Sequence, residues 1–414
     1  MEETTPARVF GRWAGKAALV IGASLLCLLA AEAIFRLAID SIPQLDLDIY
    51  RKSSDGQLLL RPRVTRQHST RHWNVTVSIN EEGWRDHPGL GSAGDPLVLG
   101  LGDSMAFGWG VELEDSMFSL LEQKLREASP ARLLKAAVPG TGPGDQLRLL
   151  QTMWQPPEQN LEAKHPPSVV ILVFFVGNDF VDVQMGGARQ FQVEDGLLVR
   201  ENFSDETPPA LQALRMKAVR NSRLLQLLMG TWWHWSRPDN EGGPDAVHAP
   251  RRWDEWLREF AQIHLREYPP RTSKAVAQTL DLLTEMHQTC RTLSADFLLV
   301  VVPRGYQIYE NETEELRTSL GLSDDDLDLD KPQRILTEWA EHSGVRVVDL
   351  LGPFREHHRT HPKQRLFYYP DAHLNRLGHH LAADAIHPLL SQLIENRMHA
   401  KTPSLDASAG PQVP

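Results

Sequence analysis

The chain has 414 residues, 41% of them hydrophobic and 23% charged, which is the mix of a folded globular protein and excludes a disordered or collagen-like one. Its 43 Lys and Arg against 54 Asp and Glu leave a net charge of −11, with no basic block to follow a phosphate backbone, so nucleic acid is excluded as a partner. Cys27 lies in an apolar run and Cys290 is the only other cysteine, which excludes a disulfide scaffold and a Cys-based zinc site.

The apolar run is Ala17 to Ala31, uncharged, preceded by Arg8, Arg12 and Lys16 and continued by Ile34, Phe35 and Leu37. It reaches the roughly 20 residues of a spanning helix if Glu32 and Arg36 sit at the interface. Residues 1–40 are thus expected to be a cytoplasmic stub and signal anchor, with everything beyond about residue 40 outside the cytoplasmic membrane. The competing reading is cleavage at Ala31-Glu32-Ala33 and release of the mature protein. The anchor is preferred because the apolar pattern runs past that site.

Residues 41–95 read as a linker with a small β-hairpin extension: WNVTVSINEEGWRD (73–86) alternates as a strand, turns near Asn80 to Gly83 and starts a second short strand. The Gly-rich HPGLGSAGDP (87–96) leads into the main domain, residues 96–395. There strands and helices alternate. Strands are expected at 96–104, 131–140, 168–179, 296–303 and 345–351, with helices at 114–128, 145–154, 272–293 and 331–344. The run SVVILVFFVGND (168–179) is apolar on both faces, as in a parallel sheet covered by helices. Five such repeats predict a doubly wound α/β sandwich.

An insertion of about 184–271 is too long for an ordinary loop. It holds Trp232, Trp233, Trp235, Trp253 and Trp256 and reads as a helical lid, with Trp253, Trp256, Leu257, Phe260 and His264 on one helix face. Core packing is the expected role of these tryptophans. The tail 399–414 reads as disordered.

Ligands in such sheets bind beyond the carboxyl ends of the strands. Those ends carry Ser104 in GDSMAFGWG, Gly140 in AAVPGTGPGD, Asn178 in FFVGNDFVD, and Asp371 with His373 in YYPDAHLNRLGHH. Acyl transfer needs a serine nucleophile, a base to take its proton, a partner that fixes the base, and donors for an oxyanion. Ser104, His373 and Asp371 suit the first three roles. The N–H groups of Ser104 and Gly140 with the Asn178 amide suit the fourth. Trp84 and Trp109 flank the motifs and are candidates for substrate contact. Asp103 and Asp179 are expected to fix turns. His357, His358, His361, His379 and His380 form no spaced metal set, and the acidic run 323–330 lacks the glycine and closing glutamate of a calcium loop.

The GDS at 102–104, Gly140, the GND at 177–179 and the late Asp371/His373 pair resemble, in order, the four blocks of the SGNH/GDSL hydrolases. The resemblance spans roughly residues 80–390 and takes in INEEGWRD, similar to a motif that precedes the catalytic domain in membrane-anchored bacterial members. Many members carry Asp-x-x-His where this chain has Asp-x-His, a form similar to that of polysaccharide O-acetyl-transfer proteins. The GxSxG elbow of α/β-hydrolases is absent, since Ala106 follows two residues after Ser104. The resemblance implies an SGNH-type three-layer α/β/α sandwich on a parallel five-stranded sheet, needing no metal or cofactor. It implies a serine esterase acting on O-acyl groups, chiefly acetyl, of an envelope or exported polysaccharide. An O-acetyltransferase with the same triad, a lipase or thioesterase on lipid chains, and a non-catalytic glycan-assembly component stay open. The partners expected are an acylated glycan or lipid and the membrane; the sequence carries no signal for oligomeric state.

Overall fold

The structure is a computed structural model that describes residues 6–38, 47–70, 72–87, 95–154, 166–200, 222–225, 228, 253–369 and 371–401. The chain divides into two units, residues 1–44 with 203–241 and residues 45–202 with 242–414. In the first, helix α1 (Pro6–Ala38) contains the 19-residue stretch Leu19–Leu37, long and apolar enough to cross a membrane and with none of its apolar length buried. Its Glu32 accepts hydrogen bonds from Ser222 Oγ (2.9 Å) and from the backbone N–H groups of Arg223 and Leu224 (both 3.0 Å).

The second unit opens with β1 (Tyr50–Lys52) and β2 (Leu58–Leu60), an antiparallel pair, followed by a second pair, β3 (Val64–Ser69) and β4 (Asn74–Ile79). Next come β5 (Leu97–Gly102), the single turn α2 (Ser104–Phe107), α3 (Met117–Ala128), β6 (Arg132–Ala137) and α4 (Pro143–Trp154). Strand β7 (Val169–Phe175) leads to α5 (Asp179–Met185) and the antiparallel β8 (Phe191–Glu194) and β9 (Leu197–Arg200). Beyond the undescribed stretch lie α6 (Trp253–Ala261), α7 (Pro270–Thr292), β10 (Asp296–Val302), α8 (Glu310–Leu320), α9 (Lys331–Ser343), β11 (Arg346–Asp349), α10 (Leu351–Thr360) and α11 (Arg376–Lys401).

The central sheet has the order β11-β10-β7-β5-β6, with each neighbouring pair parallel. Successive strand residues point to opposite faces, so the apolar runs feed two cores. Val98, Leu133, Ile171, Val173, Leu298 and Val300 pack with Phe118 and Leu121 of α3, Phe354 of α10 and Ile386 of α11. Leu99, Leu134, Leu172, Phe174, Leu299 and Val301 pack with Leu150 of α4, Phe180 of α5, Leu283 of α7 and Leu336 of α9. This is a three-layer α/β/α sandwich on a parallel five-stranded sheet. Because β6 lies on one side of β5 and β7 on the other, Ser104 and Asn178 leave the sheet on either side of the point where strand order reverses, where open α/β sheets bind ligands.

Two local expectations are revised. The strand at Asn74–Ile79 pairs with the preceding β3, Val64 opposite Ile79, and residues 81–86 form turns and bends in place of a second strand. Arg85 and Asp86 are there turned inward by buried polar contacts. The insertion also begins with a β-hairpin: Asp195 (φ 52°) and Gly196 (φ 93°) make the tight turn between β8 and β9, as a two-residue hairpin loop requires. Within the expected lid helix, Leu257 is buried, Phe260 half-buried and His264 buried. Trp232, Trp233 and Trp235, the side chains of Trp253 and Trp256, and tail residues 402–414 lie outside what is described.

Candidate active site

Strand β5 ends at Gly102, whose backbone (φ 153°) leaves only 2.6 Å between a would-be Cβ and Ala106 Cβ, so the turn closes only around glycine. Asp103 then caps α2, its Oδ1 accepting from Met105 N–H at 2.8 Å. This turn sets Ser104 at the carboxyl edge of the sheet. From the other end of the chain, His373 Nε2 accepts from Ser104 Oγ at 2.9 Å. Its Nδ1–H donates to Asp371 Oδ1 at 2.6 Å, and its backbone N–H reaches the same oxygen at 3.2 Å. That pairing fixes the tautomer, leaving Nε2 free to act as acceptor. The structure therefore brings Ser104, His373 and Asp371 into one hydrogen-bonded line.

The Asp371 side chain is 1% exposed and that of His373 14%. Burial pushes the Asp371 carboxyl up, but attraction to His373 and the hydrogen bonds from it outweigh that and hold it below the usual range. The residue between them, Ala372, sits at φ 71°, a region uncommon for residues other than glycine.

Gly140 ends the segment after β6 at φ 81°, under Leu198 of β9, which lies 3.1 Å from where a Cβ would stand. Among the described residues, the backbone N–H groups of Ser104 and Gly140 have no hydrogen-bond acceptor. Asn178 is held differently from what its motif suggests. Its Nδ2 donates to Asp103 Oδ2 (3.1 Å) and Asp182 Oδ2 (2.9 Å), while its Oδ1 is buried without a partner. Both amide hydrogens are thus engaged by carboxylates. Asp179, beside it, accepts from Phe175 N–H at 2.8 Å. Burial, then the charges of Asp103 and Asp182, push its pKa well above the usual carboxyl value, and burial also raises that of Asp103. Both aspartates fix turns, as their positions in the motifs suggested.

Of the two tryptophans proposed for substrate contact, Trp109 lies 6.2 Å from the His373 ring, centroid to centroid. Trp84 is half-buried and packs against both apolar cores. Sequence reasoning missed Arg85. It is buried and donates to the carbonyls of Phe107 (3.1 Å), Gly108 (2.7 Å) and Val111 (2.7 Å), clamping the loop that follows Ser104. Its neighbour Asp86 joins Glu122, Arg132 and Lys135 in a buried ionic cluster, with Lys135 Nζ 2.6 Å from Asp86 and 2.8 Å from Glu122. The sequence carries no local sign of this, since Arg85 and Asp86 stand past a turn, six and seven residues beyond the end of the alternating strand.

Among the described residues no group of three or more His, Cys, Asp or Glu could hold a metal ion. His379 is buried and its Nδ1 accepts from Met117 N–H at 3.3 Å; burial drives its pKa down to about 3. The acidic run is paired as well as solvated: Asp328 meets Arg334 at 2.6 Å and Asp330 meets Arg355 at 2.7 Å.

No family model matches the chain, and no curated protein matches it in sequence. Solved structures do resemble it. One is a member of the lipolytic G-D-S-L family from Veillonella parvula, at 10% identity over 72% of this chain and 98% of that one, TM-score 0.37. Another is the esterase EstA from Pseudoalteromonas, at 15% identity over 73% of this chain and 100% of that one, TM-score 0.35. A third is a catalytic mutant of an acetylxylan esterase from Geobacillus stearothermophilus, at 14% identity over 73% of this chain and 95% of that one, TM-score 0.34.

Proposed function

We propose that this chain is a serine ester hydrolase of the SGNH/GDSL type that removes O-acyl groups, chiefly acetyl, from an envelope or exported polysaccharide. The observation that carries the reading is the unbroken line of hydrogen bonds from Ser104 Oγ through His373 to Asp371. In the first step His373 Nε2 takes the Ser104 proton as Oγ attacks the ester carbonyl. The oxyanion forms against the Ser104 and Gly140 N–H groups, and Asn178 joins by releasing one of its two carboxylate partners. Collapse expels the sugar alkoxide, which takes the proton from His373. Water, deprotonated by the same imidazole, then frees the acid and restores Ser104.

The apolar helix supports a location at the cytoplasmic membrane, with Arg8, Arg12 and Lys16 on the cytoplasmic side and the catalytic unit outside. The acyl class is the one the motif resemblance implies, and the Trp109 ring, 6.2 Å from that of His373, offers an aromatic face beside the site on which a sugar could rest. The test is release of p-nitrophenol from acetyl and longer-chain esters by the full chain in detergent, beside Ser104→Ala. Turnover that is lost in the variant and falls with chain length supports the reading. Folded wild-type protein with no Ser104-dependent turnover of any ester overturns it.

A further inference from the structure

Beside the acid–base pair lies a cavity of ≈ 50 Å³ whose lining includes Arg304, Tyr306, Glu312, Glu315, Tyr369 and Ala372. It shares the segment holding Asp371 and His373. It also borders the loop of Asn178, because Arg304 Nη1 approaches the carbonyl of Gly177. Arg304 is 8% exposed and stands among the rings of Phe260 (5.2 Å), Tyr306 (5.7 Å) and Phe175 (5.9 Å). The Gly177 contact, at 3.5 Å, is the one hydrogen bond its side chain makes among the described residues. Tyr306 is 3% exposed and its hydroxyl has no partner there. A mostly buried guanidinium with donors left over, beside a buried phenol hydroxyl without a partner, can bind oxygen acceptors that enter the cavity.

The surrounding charges decide which oxygens. Glu312 is paired with Arg365, Glu315 accepts from the Tyr369 hydroxyl, and Asp371 is close enough to act on Arg304 electrostatically. An anion entering here would meet these three carboxylates. An alkyl chain would leave the buried donors unpaired. Neutral hydroxyls satisfy them, and Tyr369, 42% exposed at the mouth, offers an aromatic face to a sugar ring. The cavity is open on one side, and its volume exceeds what a single water needs, so it admits hydroxyl groups of a bound sugar.

We propose that Arg304, Tyr306 and Tyr369 form a subsite for a neutral sugar unit of the acylated glycan, its hydroxyls bound inside and its ring lying over Tyr369. This rests on the esterase reading for its biological sense but not for its test. Full-chain Ser104→Ala protein is titrated calorimetrically with O-acetylated and unacetylated xylo-, manno- and gluco-oligosaccharides, with and without Tyr306→Phe or Tyr369→Ala added. Saturable binding to at least one, weakened about fivefold to tenfold by either change, is expected. In the Ser104-containing protein, each change should raise KM for the bound sugar's acetyl ester at least fivefold more than KM for p-nitrophenyl acetate. If no ester is turned over but the binding result stands, the hydrolase reading fails and the subsite survives. No saturable binding to any oligosaccharide, or equal affinity in the variants, overturns the subsite. So does an effect confined to long-chain acyl esters.

Discussion

Replacing Asp371 by asparagine separates the charge of the carboxylate that pairs with His373 from its shape. Asp371 Oδ1 accepts from both Nδ1 (2.6 Å) and the backbone N–H (3.2 Å) of His373. An asparagine is therefore held with its oxygen toward the imidazole, so the tautomer survives and the negative charge is what disappears. With charge centres about 4 Å apart and an effective dielectric of about 20, the lost attraction to the imidazolium is about 4 kcal/mol. That corresponds to about a 10³-fold drop in kcat. The amide nitrogen then occupies the place of Oδ2, which is buried and has no hydrogen-bond partner, costing roughly 1–3 kcal/mol of stability. The attraction that holds the Asp371 carboxyl low is reciprocal, so its loss moves the acid limb of the kcat/KM profile to lower pH. The assay is p-nitrophenyl acetate turnover across pH, with urea unfolding to show that the variant is folded. A folded Asp371→Asn protein within tenfold of wild type, on an unshifted profile, would refute the reasoning.

Three further outcomes are expected. Asn178→Ala should lower kcat by about 10²–10³ if the amide reaches the oxyanion; a loss under tenfold, accompanied by lower stability, would confine Asn178 to bridging Asp103 and Asp182. Asp86→Ala leaves Arg132 and Lys135 with Glu122 as their carboxylate and should cost about 3–5 kcal/mol by urea unfolding, and a change below 1 kcal/mol would show the cluster to be incidental. His379, neutral in the fold with a pKa of about 3, has a folded pKa below its unfolded one. Its stabilising contribution is therefore present above about pH 6.5 and is lost as pH falls toward 3. In His379→Gln the acceptor for Met117 N–H is kept and the titration removed, so the stability gap to wild type should change by about 2 kcal/mol between pH 7 and pH 5. A gap that does not move with pH would mean that His379 is not held neutral.

How far the sequence reveals this molecule depends on whether a signal is local. The strand 168–179 and its four parallel neighbours were legible because burial on both faces leaves a nearly continuous apolar run, and five such runs separated by helical spacing leave few topologies. Strand β3 was not, because VTRQHS carries Arg66, Gln67 and His68, and what makes it a strand is its pairing with β4. The β8–β9 turn did carry a local sign, Asp195-Gly196 between alternating residues, but the tryptophan spacing downstream dominated the reading of the insertion. Arg85 and Arg304 could not be placed from sequence. Their partners are backbone carbonyls and rings from distant segments, and no spacing rule connects Arg85 to Val111 or Arg304 to Gly177.

The Asp-x-His spacing, where SGNH/GDSL hydrolases more often carry Asp-x-x-His, finds its reason in the backbone. With one residue between them, Asp371 and His373 can meet only if the chain folds back sharply, and Ala372 at φ 71° supplies that reversal. Ala372 N–H bonds Tyr368 O at 2.8 Å, Tyr368 N–H bonds His373 O at 2.9 Å, and the Tyr368 hydroxyl reaches Gly110 O at 3.1 Å. The strained residue is thus held on both sides by a segment tied to the loop after Ser104. A backbone conformation of this kind costs of order 1–3 kcal/mol and persists only where its surroundings enforce it. What it secures is one carboxylate oxygen that holds both the ring and the main chain of His373. The tighter spacing therefore orients His373 with fewer free torsions than a longer one would, and Tyr368, from the segment that Asp371 and His373 share, ties that pair to the loop after Ser104.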